Sequence, residues 1–224
     1  MVGMVNAEIN RLDWPRPRAL LLDAMGTLIG LRASVGTTYA AVAAEHGLQL
    51  DPVAVDQAFR AAYRAAPPLA FPGLAGDELE RAERDWWSQR IAEVLRGVGE
   101  EEGGPPALHQ QLFDLYADPQ LWRVYDEVPE ALARWREQGL RLAVVSNFDQ
   151  RLERLLEAFD LLRWLDGVVL SSRAGAAKPS ARPFQLALEQ LDLAPHQAWH
   201  VGDSPEDEAG ARAAGLPCVL VRRP

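Results

Sequence analysis

The sequence predicts an α/β protein in which a parallel sheet with crossover helices is interrupted, after its first strand, by an all-helical insertion. Three observations carry that prediction. From residue 120 onward, short strand-like runs rich in β-branched residues alternate with amphipathic helical patterns. Residues 35–117 show only helical patterns separated by breakers. One strand-like segment, 18–22, stands ahead of that helical block.

Residues 1–17 (MVGMVNAEINRLDWPRP) read as an irregular lead-in. RALLL at 18–22 is a short apolar strand. The insertion opens with two helical patterns, GTTYAAVAAEHGL and PVAVDQAFRAAYRAA, broken near Gly47 and Asp51–Pro52. PPLAFPGLAGD at 67–77 is a Pro/Gly-rich loop. A long amphipathic helix, ELERAERDWWSQRIAEVLRGV, follows; GEEEGGPP at 99–106 breaks it, and ALHQQLFDLYA forms another. Helix VPEALARWREQGL then leads to strand RLAVVSN, DQRLERLLEAFDL to GVVLSS, ARPFQLALEQLDL to QAWHVGD, and PEDEAGARAAGL to PCVLVR. The expected organisation is a Rossmann-like core over 18–34 and 118–224, with a helical cap over 35–117.

Composition narrows the function classes. With 224 residues, 48% of them hydrophobic, the chain suffices for one sizeable core and a smaller domain. A net charge of −9 argues against nucleic acid or an anionic membrane as partner. No apolar run approaches the roughly 18 residues of a membrane span. Cys218 is the single cysteine, so no internal disulfide forms, and no basic-then-apolar leader pattern opens the chain. A cytoplasmic monomer or homodimer is the expectation. Lysine and arginine together number 23, and Lys178 is the only lysine. Nucleotide bias accounts for the surface arginines. A lysine kept at one position points to a need for a compact charge on a flexible stem.

An open parallel sheet binds ligands beyond the carboxyl ends of its strands. The first strand ends at Asp23, with Thr27 just past it; another ends at Ser146–Asn147; a later one ends at Asp203, followed by Ser204, Glu206 and Asp207. Lys178 lies in the loop AGAAKPS. Taken singly, each has a plain reading: Asp203 and Ser204 as helix caps, Asn147 and Asp149 as turn residues, Lys178 as a solvated charge. Their order and strand contexts together are much harder to obtain by chance.

That order resembles the haloacid dehalogenase superfamily, which includes many phosphatases. DAMGT resembles the family's first motif (Asp-x-x-x-Thr), VVSN the second, AKP the third and VGDSPED the fourth, over about residues 18–224. VGTTYAAVAAEHGL followed by AFRAAYRA also resembles the branch of the rhythmically expressed gene 2 proteins. The resemblance implies a HAD-like core and a cap inserted after the first motif. It implies Asp23 as nucleophile, Thr27, Ser146 and Asn147 around the transferring group, and Lys178 as the charge that orients Asp23. It further implies Mg²⁺ held by Asp23, the backbone carbonyl of Met25 and Asp203, with Asp207 acting on the metal, through water, or on Lys178. Physical chemistry supports the metal separately. Asp23 and Asp203 side by side cannot both stay ionised without counter-charge, and a hard cation with oxygen ligands supplies it beyond what Lys178 provides.

Met25 departs from the phosphatase pattern. Phosphatases of this family usually carry a second aspartate there, which protonates the leaving alcohol and then activates water. Positioned acid–base groups contribute about 10²–10⁴-fold, and Met25 has no proton to exchange. The plain reading of Met25 is a packing residue under the cap. The 2-haloacid dehalogenases also lack the second aspartate, since halide leaves without a proton, but they need no metal and do not carry the VGDSPED form. A Mg²⁺-dependent phosphatase acting through an aspartyl-phosphate is therefore the leading expectation. The alternatives are a dehalogenase-like hydrolase and a non-catalytic ligand- or protein-binding member. On the cap, Arg60 and Arg64 lie four apart on one helix face and are candidate contacts for an anionic substrate, with Tyr39 and His46 as lesser ones. Adjacent Trp86 and Trp87 point about 100° apart on their helix, both suited to a core. His200, on a buried strand, reads as a hydrogen-bonded structural histidine.

Overall fold

The computed structural model describes residues 15–223, so most of the expected lead-in lies outside the described residues. The described chain divides into two compact units. One is α/β and holds the residues up to Gly30, Ala70–Gly73 and those from Val124 onward; the other is helical and holds Leu31–Leu69 and Leu74–Arg123.

Along the chain, β1 (Ala19–Leu22) is followed by β2 (Ile29–Leu31), which pairs with β3 (Trp122–Val124) in a two-stranded sheet. Between β2 and β3 run α1 (Val35–Glu45), α2 (Pro52–Ala65), α3 (Gly76–Gly97) and α4 (Pro106–Leu115). After β3 come α5 (Val128–Glu137), β4 (Arg141–Ser146), α6 (Arg151–Ala158), β5 (Gly167–Leu170), the single turn α7 (Ser171–Ala174), α8 (Arg182–Gln190), β6 (Ala198–Gly202), α9 (Pro205–Ala213) and β7 (Cys218–Leu220). The main sheet has five strands in the order β5-β4-β1-β6-β7, with every neighbouring pair parallel.

Parallel strands covered on both faces read as continuous apolar runs. β1 and the last five residues of β4 are buried throughout. On one face Leu21, Val145 and Val169 pack with Phe184 and Leu188 of α8 and Ala211 of α9. Register then places the chemistry. Leu22 lies opposite Val144 of β4 and Val201 of β6. The residues just beyond these partners, Asp23, Ser146–Asn147 and Asp203, therefore emerge side by side at one end of the sheet.

Two short strands, β2 and β3, went unforeseen, since three residues are too few to show a period. The expected strand GVVLSS stops at Leu170. Ser171 Oγ and Ser172 N–H both turn to the Phe148 carbonyl, at 3.4 Å each, and the chain coils there.

The helical unit has its own core, formed by Tyr39, Val42, Val55, Ile91, Val94, Leu95, Leu108 and Leu112. Its helices start where local chemistry dictates. Ser34 Oγ accepts from Thr37 N–H, and the Asp51 carboxylate accepts from the N–H groups of Val53 and Ala54 ahead of Pro52. Trp86 is buried and donates its Nε1–H to the Pro67 carbonyl at 3.1 Å. Trp87 is half-buried and stacks on Tyr63, with ring centroids 6.3 Å apart. No helix among the described residues is long and apolar enough to cross a membrane.

Candidate active site

Asp23 follows β1 directly, and its N–H donates to the Val201 carbonyl at 2.8 Å. Its buried carboxylate meets Lys178 and Ser146: Lys178 Nζ donates to Oδ1 at 2.6 Å and Ser146 Oγ to the same oxygen at 3.3 Å. Among the described residues Oδ2 has no hydrogen-bond donor. The turn that follows is closed on Ala24, whose carbonyl accepts from the N–H groups of Thr27, Leu28 and Ile29. Gly26 takes φ 86°, and a Cβ there would fall 2.1 Å from Asp203 Oδ2. Glycine alone permits this turn to lie against that carboxylate.

Lys178 uses all three ammonium protons. Besides Asp23 it donates to Asp207 Oδ1 at 2.6 Å and to the Val145 carbonyl at 3.1 Å. Its backbone is held as well: Asn147 Oδ1 accepts the Lys178 N–H at 2.8 Å, and Asn147 Nδ2 donates to the Lys178 carbonyl at 3.0 Å. Burial pulls the Lys178 pKa down, but Asp23 and Asp207 reverse this and leave it raised. Burial, aided by Asp207, raises that of Asp23 against the pull of Lys178.

Asp207 is wholly committed. Oδ1 receives Lys178 and is hydrogen-bonded to His200 Nε2 at 2.8 Å; Oδ2 accepts from Ser204 Oγ at 2.7 Å and from the N–H groups of Ser204 and Asp203. Burial would raise its pKa, but the His200 hydrogen bond and the Lys178 charge hold it below the usual carboxylate range. His200 is fully buried and donates from Nδ1 to the Leu21 carbonyl at 2.9 Å. Of the three roles open to Asp207 from sequence, this geometry favours holding Lys178. Gly202 makes room, since a Cβ there would lie 2.3 Å from Asp207 Cγ.

Asp203 is the exposed member of the group. Partial burial, then the charges of Asp23 and Asp207, raise its pKa to about 6. Oxygens of Asp23, Asp203 and Asp207 all lie within 4.8 Å of one another. Three carboxylates share one ammonium, and the donors are all oxygen. That set fits a hard divalent cation. A second observation fits a transferred oxyanion: Thr27 Oγ1 is buried and has no hydrogen-bond partner among the described residues. Leaving a buried hydroxyl unpaired costs about 1–3 kcal/mol unless a ligand satisfies it.

The structure thus brings together Asp23, Thr27, Ser146, Asn147, Lys178, Asp203 and Asp207. Met25, expected to pack, is 45% exposed, with its backbone in the turn that follows Asp23. Arg60 and Arg64 are exposed positions on α2 of the helical unit. Tyr39 belongs to that unit's core, and His46 bonds Gln111 at 2.8 Å. Sequence reasoning anticipated Asn147 beside the transferring group; the structure adds that its amide holds the Lys178 backbone, with one Nδ2 N–H donated to the Lys178 carbonyl. It also missed that His200 touches Asp207, a link the i, i+7 spacing across a strand-to-helix turn does not display.

A family model described as haloacid dehalogenase-like hydrolase matches residues 17–215. Human haloacid dehalogenase-like hydrolase domain-containing protein 3 is 39% identical over 210 residues, covering 92% of this chain and 82% of its own. The Drosophila melanogaster rhythmically expressed gene 2 protein is 28% identical over 221 residues, covering 92% and 83%. A phosphoserine phosphatase of Thermus thermophilus is 36% identical over 134 residues, covering 58% and 53%.

Proposed function

We infer the reaction from one premise: this chain belongs to the haloacid dehalogenase-like hydrolase family. It is a hydrolase of the phosphatase-like kind, and we propose that it removes phosphate from a small phosphorylated metabolite through an aspartyl-phosphate on Asp23. The observation that carries this reading is Asp203 beside Asp23, within reach of a shared cation. A metal-free dehalogenation has no use for that second carboxylate, whose own pKa is raised by burial and then by the charges of Asp23 and Asp207. The likeness to a phosphoserine phosphatase supports the same choice.

In this reading Asp23, Asp203 and the Met25 carbonyl would hold Mg²⁺, which would supply charge neutralisation for the phosphoryl oxygens. The chain's own residues do the rest. Lys178 and Ser146 fix Asp23 Oδ1, leaving Oδ2 to attack phosphorus in line with the ester oxygen. A bond forms between Oδ2 and phosphorus, and the ester P–O bond breaks. The leaving alkoxide takes its proton from water or from the substrate, because Met25 offers none. Water then attacks the aspartyl-phosphate, the bond to Asp23 breaks, and the carboxylate returns as phosphate leaves. Thr27 Oγ1 donates to a phosphoryl oxygen, gaining the partner it otherwise lacks. The helical unit serves as the cap that selects the substrate.

Met25 favours a second reading, a dehalogenase-like hydrolase, because halide needs no acid. A screen of phosphomonoesters and 2-haloacids, each with and without Mg²⁺, separates the two. Mg²⁺-dependent phosphate release is expected. Metal-independent halide release from 2-chloropropionate reverses the choice.

A further inference from the structure

A side chain that grips the turn after Asp23 from outside comes from the far end of the described chain. Beyond β7, Val221 N–H donates to the Gly202 carbonyl at 2.7 Å, so the tail continues alongside the strand that delivers Asp203. Two residues on, the Arg223 guanidinium reaches the turn between β1 and β2. Nε donates to the Gly26 carbonyl at 3.2 Å, and Nη2 donates to the Thr27 carbonyl. Neither carbonyl accepts a backbone hydrogen bond among the described residues. The third nitrogen, Nη1, pairs with Glu127 at the start of α5. The guanidinium plane lies over the Tyr125 ring, Cζ 3.8 Å from its centroid. That ring is itself lodged against β2, where a Cβ on Gly30 would meet the Tyr125 hydroxyl at 2.5 Å. Burial would raise the Glu127 pKa, and the Arg223 hydrogen bond reverses it.

A planar fork of donors suits this task, since one group can satisfy two adjacent carbonyls and a carboxylate together. The turn it grips carries Asp23 at one end, the Met25 carbonyl in the middle and Thr27 beyond. We propose that Arg223 is a positioning residue for the nucleophile turn, holding residues 25–27 in the conformation that presents the Met25 carbonyl and the Thr27 hydroxyl to the site. Its consequence for turnover rests on the phosphatase reading above. Its effect on the turn does not.

The test compares wild type with Arg223→Ala, Arg223→Gln and Arg223→Lys in three readouts: hydrogen exchange of a peptide spanning 24–30, the Mg²⁺-induced rise in melting temperature, and kcat for p-nitrophenyl phosphate. In all three variants we expect the 24–30 amides to exchange about tenfold faster or more, with exchange in β1 and β4 unchanged. The Mg²⁺ concentration for half-maximal stabilisation should rise several-fold. kcat should fall about tenfold with KM little changed. Arg223→Lys keeps the charge but loses the planar fork whose separate nitrogens reach the Gly26 and Thr27 carbonyls and Glu127, so it fails with the others, whereas a plain charge effect would be rescued by it. Unchanged exchange in 24–30, or a lowered melting temperature with kcat per folded molecule intact, overturns the proposal. If wild type shows no phosphate release, the phosphatase reading falls, while exchange and metal response still decide whether Arg223 holds the turn.

Discussion

Asn147 grips the main chain of Lys178 at both ends, accepting its N–H at 2.8 Å and donating to its carbonyl at 3.0 Å. The ammonium of this single lysine is thereby delivered between Asp23 and Asp207, at 2.6 Å from each. A guanidinium is larger and planar and does not place one point of charge between these two carboxylates. Lys178→Arg should keep the charge and still lower kcat by about 10²-fold or more, the scale seen when one preorganised donor is removed. Steady-state kinetics on protein shown to be folded by thermal melting checks this; wild-type turnover would refute the point-charge role.

Thr27 offers a prediction with two opposite signs. Its hydroxyl is buried and has no partner among the described residues. Thr27→Val should leave stability unchanged or raise it by roughly 1 kcal/mol, because an unpaired buried hydroxyl is removed. The same change should weaken inhibition by inorganic phosphate and lower kcat/KM about tenfold. A variant that loses stability instead would show that the hydroxyl serves the fold.

Asp203 sets the pH response. Its pKa is raised to about 6 from the usual 3.8, first by burial and then by Asp23 and Asp207. A raised carboxyl favours folding in its protonated form. Its contribution to metal-free stability is therefore fully present below about pH 4 and is lost as pH rises through about 6. A divalent ion requires the carboxylate, so Mg²⁺ stabilisation should be slight at pH 5 and pronounced at pH 7.5. Thermal melts with and without Mg²⁺ across that range test this, and Asp203→Asn should flatten the response.

Met25→Asp should restore an acid beside the leaving oxygen. Turnover of alkyl phosphates should rise by about 10-fold or more, toward the range that a positioned acid contributes, and turnover of p-nitrophenyl phosphate much less. The 45% exposure of Met25 leaves space for the change. A variant that still responds to Mg²⁺ yet hydrolyses alkyl phosphates no faster would mean that the missing acid is not the limiting defect.

Much of the fold was legible because the alternation after residue 120 and the apolar runs of β1 and β4 report burial directly. The candidate site was legible because its residues sit where strands end, and strand ends converge in a parallel sheet. What stayed hidden depended on tertiary contact. Asn147 looks like a turn residue until the Lys178 loop arrives beside it. His200 reads as core until Asp207 comes round from α9. Arg223 stands among ordinary arginines, and only the fold carries it 197 positions back to Gly26. β2 and β3 are too short to leave a period.

The most direct test of Asp23 as a metal-dependent nucleophile is release of p-nitrophenol from p-nitrophenyl phosphate by wild type and Asp23→Asn, each with and without Mg²⁺. That leaving group hardly needs a proton, so Met25 does not mask the result. Turnover should require Mg²⁺ and vanish in Asp23→Asn while the variant remains folded. Absence of turnover with any divalent ion, or equal turnover in Asp23→Asn, would contradict it.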